Sequence, residues 1–475
     1  MEALRGMAKA ARACGMTGIA LAAGLDRLDG RPADYLRRVD EVARIAKEFS
    51  LDIVPVVFSA GYGSAVLARN RNLAEGLPVK DAPFVVRGGE ARLAPEAKVE
   101  FPAVSTTLLD PKTRVTREIS ITPYRSYRLT LRVKSEDFGP WKAFRVQTLA
   151  PDGRELGPSD PRVPPASDWH TVTLGFNSAA NRTARIAIGA RALKTGRIWV
   201  DDLRIEEVGL TNVLRRPGTP VAVRSETDGV VYEEGRDFAP IADPALNFRF
   251  DHDAPPIQVL PGSRMREGER LRVSYYHGMA INKGQVTLCM SEPEVYAIWE
   301  KNARLIQQHL APRQWFLDMD EVRAGGTCEA CRRRKLSMAQ ILGGCITRQR
   351  EIIRAVNPNA VAAVWSDMLD PNHNARGTYY LVDGDYSGSW NYIPKDLQIV
   401  CWYYEKRAAT LAHFSKLGFR TIAGAYYDAN DLENPKGWLK SLDETPGAVG
   451  IMYTTWEDKY ELLPGFGDLV NRRTN

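Results

Sequence analysis

The spacing of apolar residues divides the chain into three regions. In residues 1–90, helical spacing alternates with short apolar runs, at residues 18–24 and 52–58, that are typical of buried strands. From residue 91 to residue 255 the helical spacing disappears, and short alternating strands separated by turn-forming clusters replace it. From residue 256 onward, strands and helices alternate again.

The two alternating regions together predict eight strands, which is the number in a (β/α)8 TIM barrel. The predicted strands are residues 18–24, 52–58, 270–276, 314–320, 360–367, 398–404, 420–427 and 450–456. We therefore predict an α/β protein with an inserted all-β sandwich of the jelly-roll type. The predicted parts are residues 1–90 and 256–475 for the barrel, residues 91–210 for the sandwich and residues 211–255 for a β-rich connector. Residues 270–276 could also belong to the insertion, so the assignment of this strand to the barrel remains open.

Composition and charge exclude several classes of protein. Hydrophobic residues make up 44% and charged residues 26% of the chain, as in soluble globular domains. No run of 18 apolar residues occurs, so we predict no membrane span. The net charge of +6 is small, and basic residues alternate with acidic ones, so we predict no nucleic-acid partner. Residues 1–15 lack the apolar core of a secretory signal, and the start directly in an amphipathic helix suggests that sequence is missing upstream.

Six cysteines in 475 residues are too few for a disulfide scaffold. Cys328 and Cys331 form the only CxxC motif, and the others lie in apolar stretches that indicate buried core thiols: Cys14, Cys289, Cys345 and Cys401. Three interpretations of the CxxC motif remain open. It is a disulfide or thiol pair that braces a loop, a metal site completed by distant residues, or a redox motif. We predict no cofactor and no metal at the active site.

Acidic and aromatic residues recur at the C-terminal ends of the predicted strands, where barrel enzymes carry their active sites. The candidates at these ends are Asp26, Tyr62, His277, Asp318, Asp320, Glu321, Trp365, Asp367, Trp402, Tyr426, Tyr427, Asp428, Trp456 and Glu457. Aromatic faces stack on sugar rings and carboxylates accept hydrogen bonds from sugar hydroxyls. Glycoside hydrolysis also needs two carboxyl groups. We therefore predict a carbohydrate partner, either an oligosaccharide or a polysaccharide.

The segment WFLDMDEVR, residues 315–323, contains the sharpest motif. Alternation along the strand places Asp318 and Asp320 on one face and Met319 on the other. Glu321 lies where the strand gives way to a loop, so it can turn into the barrel mouth. This Asp-Glu pair resembles the catalytic pair of glycoside hydrolase family 20, the β-N-acetylhexosaminidases. The resemblance implies that Glu321 is the general acid and that Asp320 holds the 2-acetamido group, whose carbonyl oxygen attacks the anomeric carbon.

The resemblance continues in the segments AVAAVWSDM, AGAYYDAND and TTWED. It implies that Tyr426 or Tyr427 is a second contact to the acetamido group and that Asp428 contacts the sugar. Glu457 would bind a sugar hydroxyl. Three tryptophans would form the pocket wall: Trp365, Trp402 and Trp456. We also expect substrate contacts from the remaining polar candidates, which are His277, Asp318 and Asp367.

Two alternatives to this mechanism remain. In an ordinary retaining glycosidase, Glu321 would be the acid/base and Asp428 or Glu457 the nucleophile. A non-catalytic carbohydrate-binding protein on the same fold is the second alternative.

The end of the predicted sandwich, GRIWVDDLRIEEVGL, resembles the closing strand of jelly-roll carbohydrate-binding modules. Asp201 and Asp202 could bind a structural Ca²⁺ ion there, and a surface turn is the alternative. A carbohydrate-binding module favours a location outside the cytoplasm, although no signal segment is visible.

Overall fold

The computed structural model describes residues 1–101, 107–191 and 193–472. A parallel sheet of seven strands organises the fold, and its strand order follows the chain order. The strands are Gly18–Leu21, Asp52–Val57, Gln314–Leu317, Val361–Trp365, Gln398–Cys401, Arg420–Tyr426 and Ala448–Thr454. Seven of the eight predicted barrel strands therefore occur in this sheet.

The parallel sheet is curled. Side chains from its second to seventh strands, including Val54, Trp365 and Met452, pack in one small cluster on one face. In a flat sheet the outer two of six strands would lie about 24 Å apart, because neighbouring strands are about 4.8 Å apart. Among the described residues, the first and seventh strands do not pair with each other. In the described part of the chain the sheet is a curled half-barrel, and the closed eight-stranded barrel that we predict is not shown.

Helices cover the convex face of this sheet and form the largest hydrophobic core with it. The longest, Met338–Val356, begins at a capping box in which Ser337 and Gln340 satisfy each other's backbone N–H groups. The other α-helices are Glu2–Ala13, Ala33–Glu48, Ser64–Leu67, Pro293–Leu310, Glu329–Arg333, Arg407–Lys416, Glu433–Asp443 and Leu463–Asn471. The 3₁₀ helices are Leu25–Gly30, Arg71–Leu73, Trp141–Ala143, Asp367–Leu369, Ser389–Asn391 and Tyr404–Lys406. Within the described residues, no helix has the length and apolar character needed to cross a bilayer.

The predicted barrel strand at residues 270–276 is wrong. Arg270–His277 pairs with Leu77–Arg87 in a separate antiparallel sheet of six strands. Its other strands are Glu90–Leu93, Ala222–Ser225, Val231–Tyr232 and Ile257–Gln258. Buried positions alternate with less buried ones along Arg270–His277, which is the pattern of an antiparallel strand with one covered face.

A β-sandwich with its own hydrophobic core lies in the chain between the first two and the last four strands of this sheet. One of its sheets contains Thr107–Leu109, Ser126–Gly139, Ser167–Asn177 and Thr195–Val208, and the other contains Arg114–Ser120, Phe144–Leu149 and Thr183–Ala190. The sandwich core also includes residues of the loops around the half-barrel mouth: Met279, Ile281, Ala324 and Leu381. Two of these lie in a short parallel pair, Ala324–Gly325 with Leu381–Val382. The sandwich is therefore packed against the mouth.

Candidate functional site

Glu321 lies at the C-terminal edge of the parallel sheet, four residues after the strand Gln314–Leu317. Its Oε1 atom forms an ion pair with Nη2 of Arg323 at 2.8 Å, and the side chain of Arg323 is only 4% exposed. Its Oε2 atom accepts a hydrogen bond from the hydroxyl of Tyr62, which follows the second strand. Both carboxylate oxygens of Glu321 are therefore held by groups from two different loops.

The backbone at Glu321 is also fixed. Glu321 has a φ of 49°, in the left-handed region that is uncommon for residues with a side chain. Its N–H donates to Oδ2 of Asp367 at 2.9 Å, and its carbonyl oxygen accepts from Nε2 of Gln285 at 2.7 Å. Gly61 passes so close that a β-carbon there would collide with the carbonyl oxygen of Asp320. A strained conformation supported from three sides is typical of functional sites.

Four carboxyl groups, Asp318, Asp320, Glu321 and Asp367, form what we call the carboxylate cluster. Burial, together with the charges of the other three members, raises the pKa of Asp320 well above its usual value. Burial also raises the pKa of Asp318, and it raises that of Asp367 to about 7. Because these carboxyl groups are buried close together, the charged forms of Asp318, Asp320 and Asp367 are disfavoured. Perturbed carboxyl groups of this kind are the usual mark of a reactive site.

One oxygen of Asp320 has no hydrogen-bond partner among the described residues, a property that it shares with Asp26 and Asp367. This oxygen, Oδ1, is buried. Met319, the preceding residue, is buried in the core on the convex face, as the strand alternation predicts. Asp320 thus offers a hydrogen-bond acceptor in a site where a buried polar atom without a partner is costly.

Aromatic rings surround the carboxylate cluster. Trp402 stacks on Tyr427 with ring centroids 6.0 Å apart. Trp456 lies 6.5 Å from both Trp365 and Tyr427, and it is 64% exposed. Burial and the nearby cluster carboxylates raise the pKa of Tyr427, so its hydroxyl remains a hydrogen-bond donor. The three predicted tryptophans and Tyr427 therefore come together around the acids.

Tyr426 is not part of this group. It is buried, and its ring stacks on Tyr453 with centroids 4.2 Å apart. Tyr453 in turn packs on Phe466 of the last helix. Of the two tyrosines that the motif offered, Tyr427 is the one beside the cluster.

Asp428 connects the ends of the sixth and seventh parallel strands. Its Oδ1 atom accepts from the Thr455 hydroxyl and from the Glu457 N–H at 3.3 Å, and its Oδ2 atom accepts from the Trp456 N–H at 2.8 Å. Burial tends to raise the pKa of Asp428, but these hydrogen bonds outweigh burial and lower it. Glu457 is exposed and pairs with Lys459 at 2.8 Å. Asp428 thus links the ends of these two strands, and Glu457 lies exposed beside them.

His277 lies away from the carboxylate cluster. It is fully buried in the antiparallel sheet, where Asn177 of the sandwich lies 3.0 Å from its Nε2 atom. Burial lowers the pKa of His277 to about 4, so it is a neutral core residue at physiological pH. We had expected it at the barrel mouth because its strand was counted as a barrel strand. The calcium site at Asp201 and Asp202 stays a prediction, and Asp202 pairs with Arg204 at 2.9 Å.

Several residues of the site were not singled out from the sequence. Arg323 and Gln285 hold Glu321, and Tyr379 lies close enough to Arg323, Asp367 and Glu321 for their charges to act on it. Asn374 donates to Oδ2 of Asp367 at 3.0 Å. Arg323 follows the Asp-Glu pair by two positions, which is the only local signal that could have identified it. Gln285, Asn374 and Tyr379 lie in loops whose positions cannot be predicted from a sequence pattern.

We expect the protein to become less stable as the pH rises from about 4 to about 7. Burial, with the nearby charge of Asp318, raises the pKa of Asp26 from 3.8 to about 7, although Phe58 N–H donates to it at 2.8 Å. The folded state then binds a proton that the unfolded state has lost, so stability falls across this range and levels off above it. The pKa difference corresponds to about 4 kcal/mol at most. Urea unfolding between pH 4 and pH 8 should show a shallower decline in Asp26→Asn than in the wild type, and parallel curves would contradict this assignment.

The fold and the site define an α/β protein whose curled parallel sheet carries carboxyl groups and aromatic rings at its C-terminal edge. No protein-family model matches the sequence, and no curated protein is detectably similar. Among solved structures, a rhamnosidase from Novosphingobium is similar over 96% of this chain and 54% of its own, with 9% identity and a TM-score of 0.35.

Two further solved structures show the same level of similarity. A chitobiase from Flavobacterium johnsoniae is similar over 96% of this chain and 42% of its own, with 8% identity and a TM-score of 0.36. A β-N-acetylhexosaminidase from Bacteroides fragilis is similar over 38% of this chain and 40% of its own, with 15% identity and a TM-score of 0.27. This chain thus spans about half of those proteins or less. Values this low establish no family, so the function is inferred from the residues of the site.

Proposed function

We propose that the protein is a glycoside hydrolase that cleaves β-N-acetylhexosaminides with help from the substrate's own acetamido group. The arrangement of the adjacent Asp320 and Glu321 carries this proposal. Glu321 is fixed at the mouth, whereas Asp320 presents a buried oxygen with no partner beside it. Aromatic rings on four strand ends provide the apolar faces that a pyranose ring needs.

In this mechanism Glu321 first takes up a proton from solvent, and this protonated form donates it to the glycosidic oxygen as the bond to the anomeric carbon breaks. The carbonyl oxygen of the 2-acetamido group attacks the anomeric carbon from the opposite face. Oδ1 of Asp320 accepts the acetamido N–H, and the hydroxyl of Tyr427 donates to the acetamido carbonyl oxygen. Glu321, now ionised, then takes a proton from water, which opens the cyclic intermediate and restores the acetamido group.

The other members of the carboxylate cluster adjoin Glu321. Asp320 and Asp367 both have raised pKa values, and Asp367 binds the backbone N–H of Glu321. Arg323 and the hydroxyl of Tyr62 keep the side chain of Glu321 in one position. Positioning of this kind reduces the entropy that must be lost in the transition state.

The contacts of Asp428 favour substrate assistance over a carboxylate nucleophile. Both oxygens of Asp428 already accept hydrogen bonds from residues after the seventh strand. An attack of Asp428 on a sugar would break these hydrogen bonds. The side chain of Glu457 is 55% exposed and is paired with Lys459 at 2.8 Å. Neither residue is arranged as a free nucleophile.

The test is a panel of para-nitrophenyl glycosides: β-N-acetylglucosaminide, β-N-acetylgalactosaminide, β-glucoside and α-rhamnoside. We expect release of nitrophenolate from the N-acetylated members alone, and much slower release by Glu321→Gln purified in the same way. Release from the glucoside or rhamnoside would keep a hydrolase but contradict the role of Asp320. A second assay would follow the cleavage of N-acetylated oligosaccharides by mass spectrometry. The absence of cleavage in both assays would contradict the proposal that the protein is a glycoside hydrolase.

A further inference from the structure

Three cysteines and one glutamate meet in the interior below the loop that follows Glu321. Glu75, Cys289, Cys328 and Cys331 are all buried, and one potential ligand atom from each lies within 4.8 Å of the other three. It is the one such group among residues 1–101, 107–191 and 193–472. The sequence had suggested a metal site at the CxxC motif only if distant residues completed it, and Glu75 and Cys289 are two such residues.

The separations within this group match a tetrahedral metal site. Sγ of Cys289 lies 3.4 Å from Sγ of Cys328 and 3.7 Å from Sγ of Cys331. Around a zinc ion with Zn–S bonds of about 2.3 Å, two tetrahedral sulfur ligands lie about 3.8 Å apart. Oε2 of Glu75 lies 3.8 Å and 3.6 Å from the sulfurs of Cys328 and Cys331, where a tetrahedral site requires about 3.5 Å.

The carboxylate of Glu75 is oriented for this role. Its Oε1 atom accepts hydrogen bonds from the N–H groups of Thr327 and Cys328, at 2.9 Å and 3.0 Å, and from the Thr327 hydroxyl. Its Oε2 atom faces the sulfurs. Hydrogen bonds to the outer oxygen of a ligand are the usual way in which a protein fixes the direction of a metal-binding carboxylate.

The charges around the group also fit a divalent ion. A buried carboxylate next to three thiolates is unfavourable without a compensating cation. A Zn²⁺ ion would neutralise half of the four negative charges. The side chain of Arg216 is 5% exposed and places Nη2 3.8 Å from Sγ of Cys328, and it also pairs with Glu292 at 3.4 Å, so its positive charge is shared between the two. Thiolate ligands in tetrahedral positions select Zn²⁺ over Mg²⁺ and Ca²⁺, which prefer oxygen.

We propose that Glu75, Cys289, Cys328 and Cys331 bind one structural Zn²⁺ ion. The ion would connect three segments that are far apart in sequence. Glu75 lies where the chain leaves the half-barrel, and Cys289 lies just before the helix that leads back to it. The CxxC motif follows Glu321 by a few residues, and Gln285, which holds Glu321, precedes Cys289 by four. The zinc ion would therefore hold the base of the insertion and the loop of the site together.

The direct test is the metal content of the protein purified in reducing buffer, measured by plasma mass spectrometry. We expect one zinc ion per chain in the wild type and none in Cys328→Ser. Cys401→Ser is the matched control, because Cys401 is equally buried but lies outside the group. Glu75→Gln keeps three sulfurs, and we expect its zinc affinity to fall at least about tenfold.

Cobalt substitution in the wild type makes the test independent of whether a variant folds. After removal of zinc with a chelator, added Co²⁺ should give thiolate-to-metal charge-transfer absorption and the intense visible bands of a tetrahedral site. Wild-type protein that takes up neither Zn²⁺ nor Co²⁺ would overturn the proposal. An intact mass lower by two hydrogen atoms, with the disulfide mapped to two of these cysteines, would overturn it too. None of these measurements depends on hydrolase activity.

Discussion

Replacement of Glu321 by Gln should lower kcat for phenyl β-N-acetylhexosaminides by about 10²- to 10⁴-fold, the usual contribution of a general acid. The amide can still accept a hydrogen bond from Tyr62, but it has no proton to give to the leaving oxygen. The loss should shrink as the leaving group becomes more acidic, because a dinitrophenolate departs without protonation. Steady-state kinetics over a series of aryl leaving groups would measure this slope.

The control for this variant is Glu433→Gln, which makes the same change at an exposed position in the helix Glu433–Asp443. Its kinetics should match those of the wild type. An equal loss for all leaving groups in Glu321→Gln would indicate a damaged site and would contradict a role in proton transfer. Circular dichroism and the melting temperature of both variants would show whether the fold is intact.

Replacement of Asp320 by Asn should have opposite effects on activity and stability. Because the pKa of Asp320 is raised by burial and by neighbouring acids, its ionisation weakens the folded state as the pH rises. An amide removes that penalty, so the melting temperature at pH 8 should increase. For N-acetylated substrates, kcat should fall about 10²- to 10³-fold, as when one preorganised contact to the transition state is lost.

The matched control here is Asp253→Asn, at an exposed position far from the cluster. It should change neither quantity. A melting temperature that rises at pH 8 and stays unchanged near pH 4 would link the stabilisation to ionisation. If Asp320→Asn lost stability at every pH, Asp320 would be a structural hydrogen-bonding residue and its proposed contact with the acetamido group would be contradicted.

The parallel strands could be predicted from the sequence because most of them form short, mainly apolar runs between helices. Gln398–Cys401, for example, is buried at every position. Arg270–His277 has the alternating pattern of a strand with one covered face, and that difference was present in the sequence. We counted it as a barrel strand because eight is the number that closes a barrel. For Arg270–His277, the alternation of buried and less buried positions was therefore a better indication of the sheet type than the number of strands.

The site could be predicted only as far as its residues follow strand ends. Asp320, Glu321, Tyr427 and Trp456 are found together because the carboxyl ends of parallel strands meet at one edge. Gln285 and Cys289 act through contacts with residues more than thirty positions away. Such contacts depend on how the insertion folds back on the half-barrel, and no local pattern encodes this.

The sandwich shares its hydrophobic core with loops of the mouth, through Met279, Ile281, Ala324 and Leu381. A domain that is joined to its neighbour only by a linker can be removed or replaced without exposing apolar surface. This sandwich cannot be removed in that way, because its removal would expose the apolar side chains of these loops. One of them, Ala324, lies three residues after Glu321. An engineer who wishes to modify this sandwich must restrict the changes to its outer loops and leave its core in place.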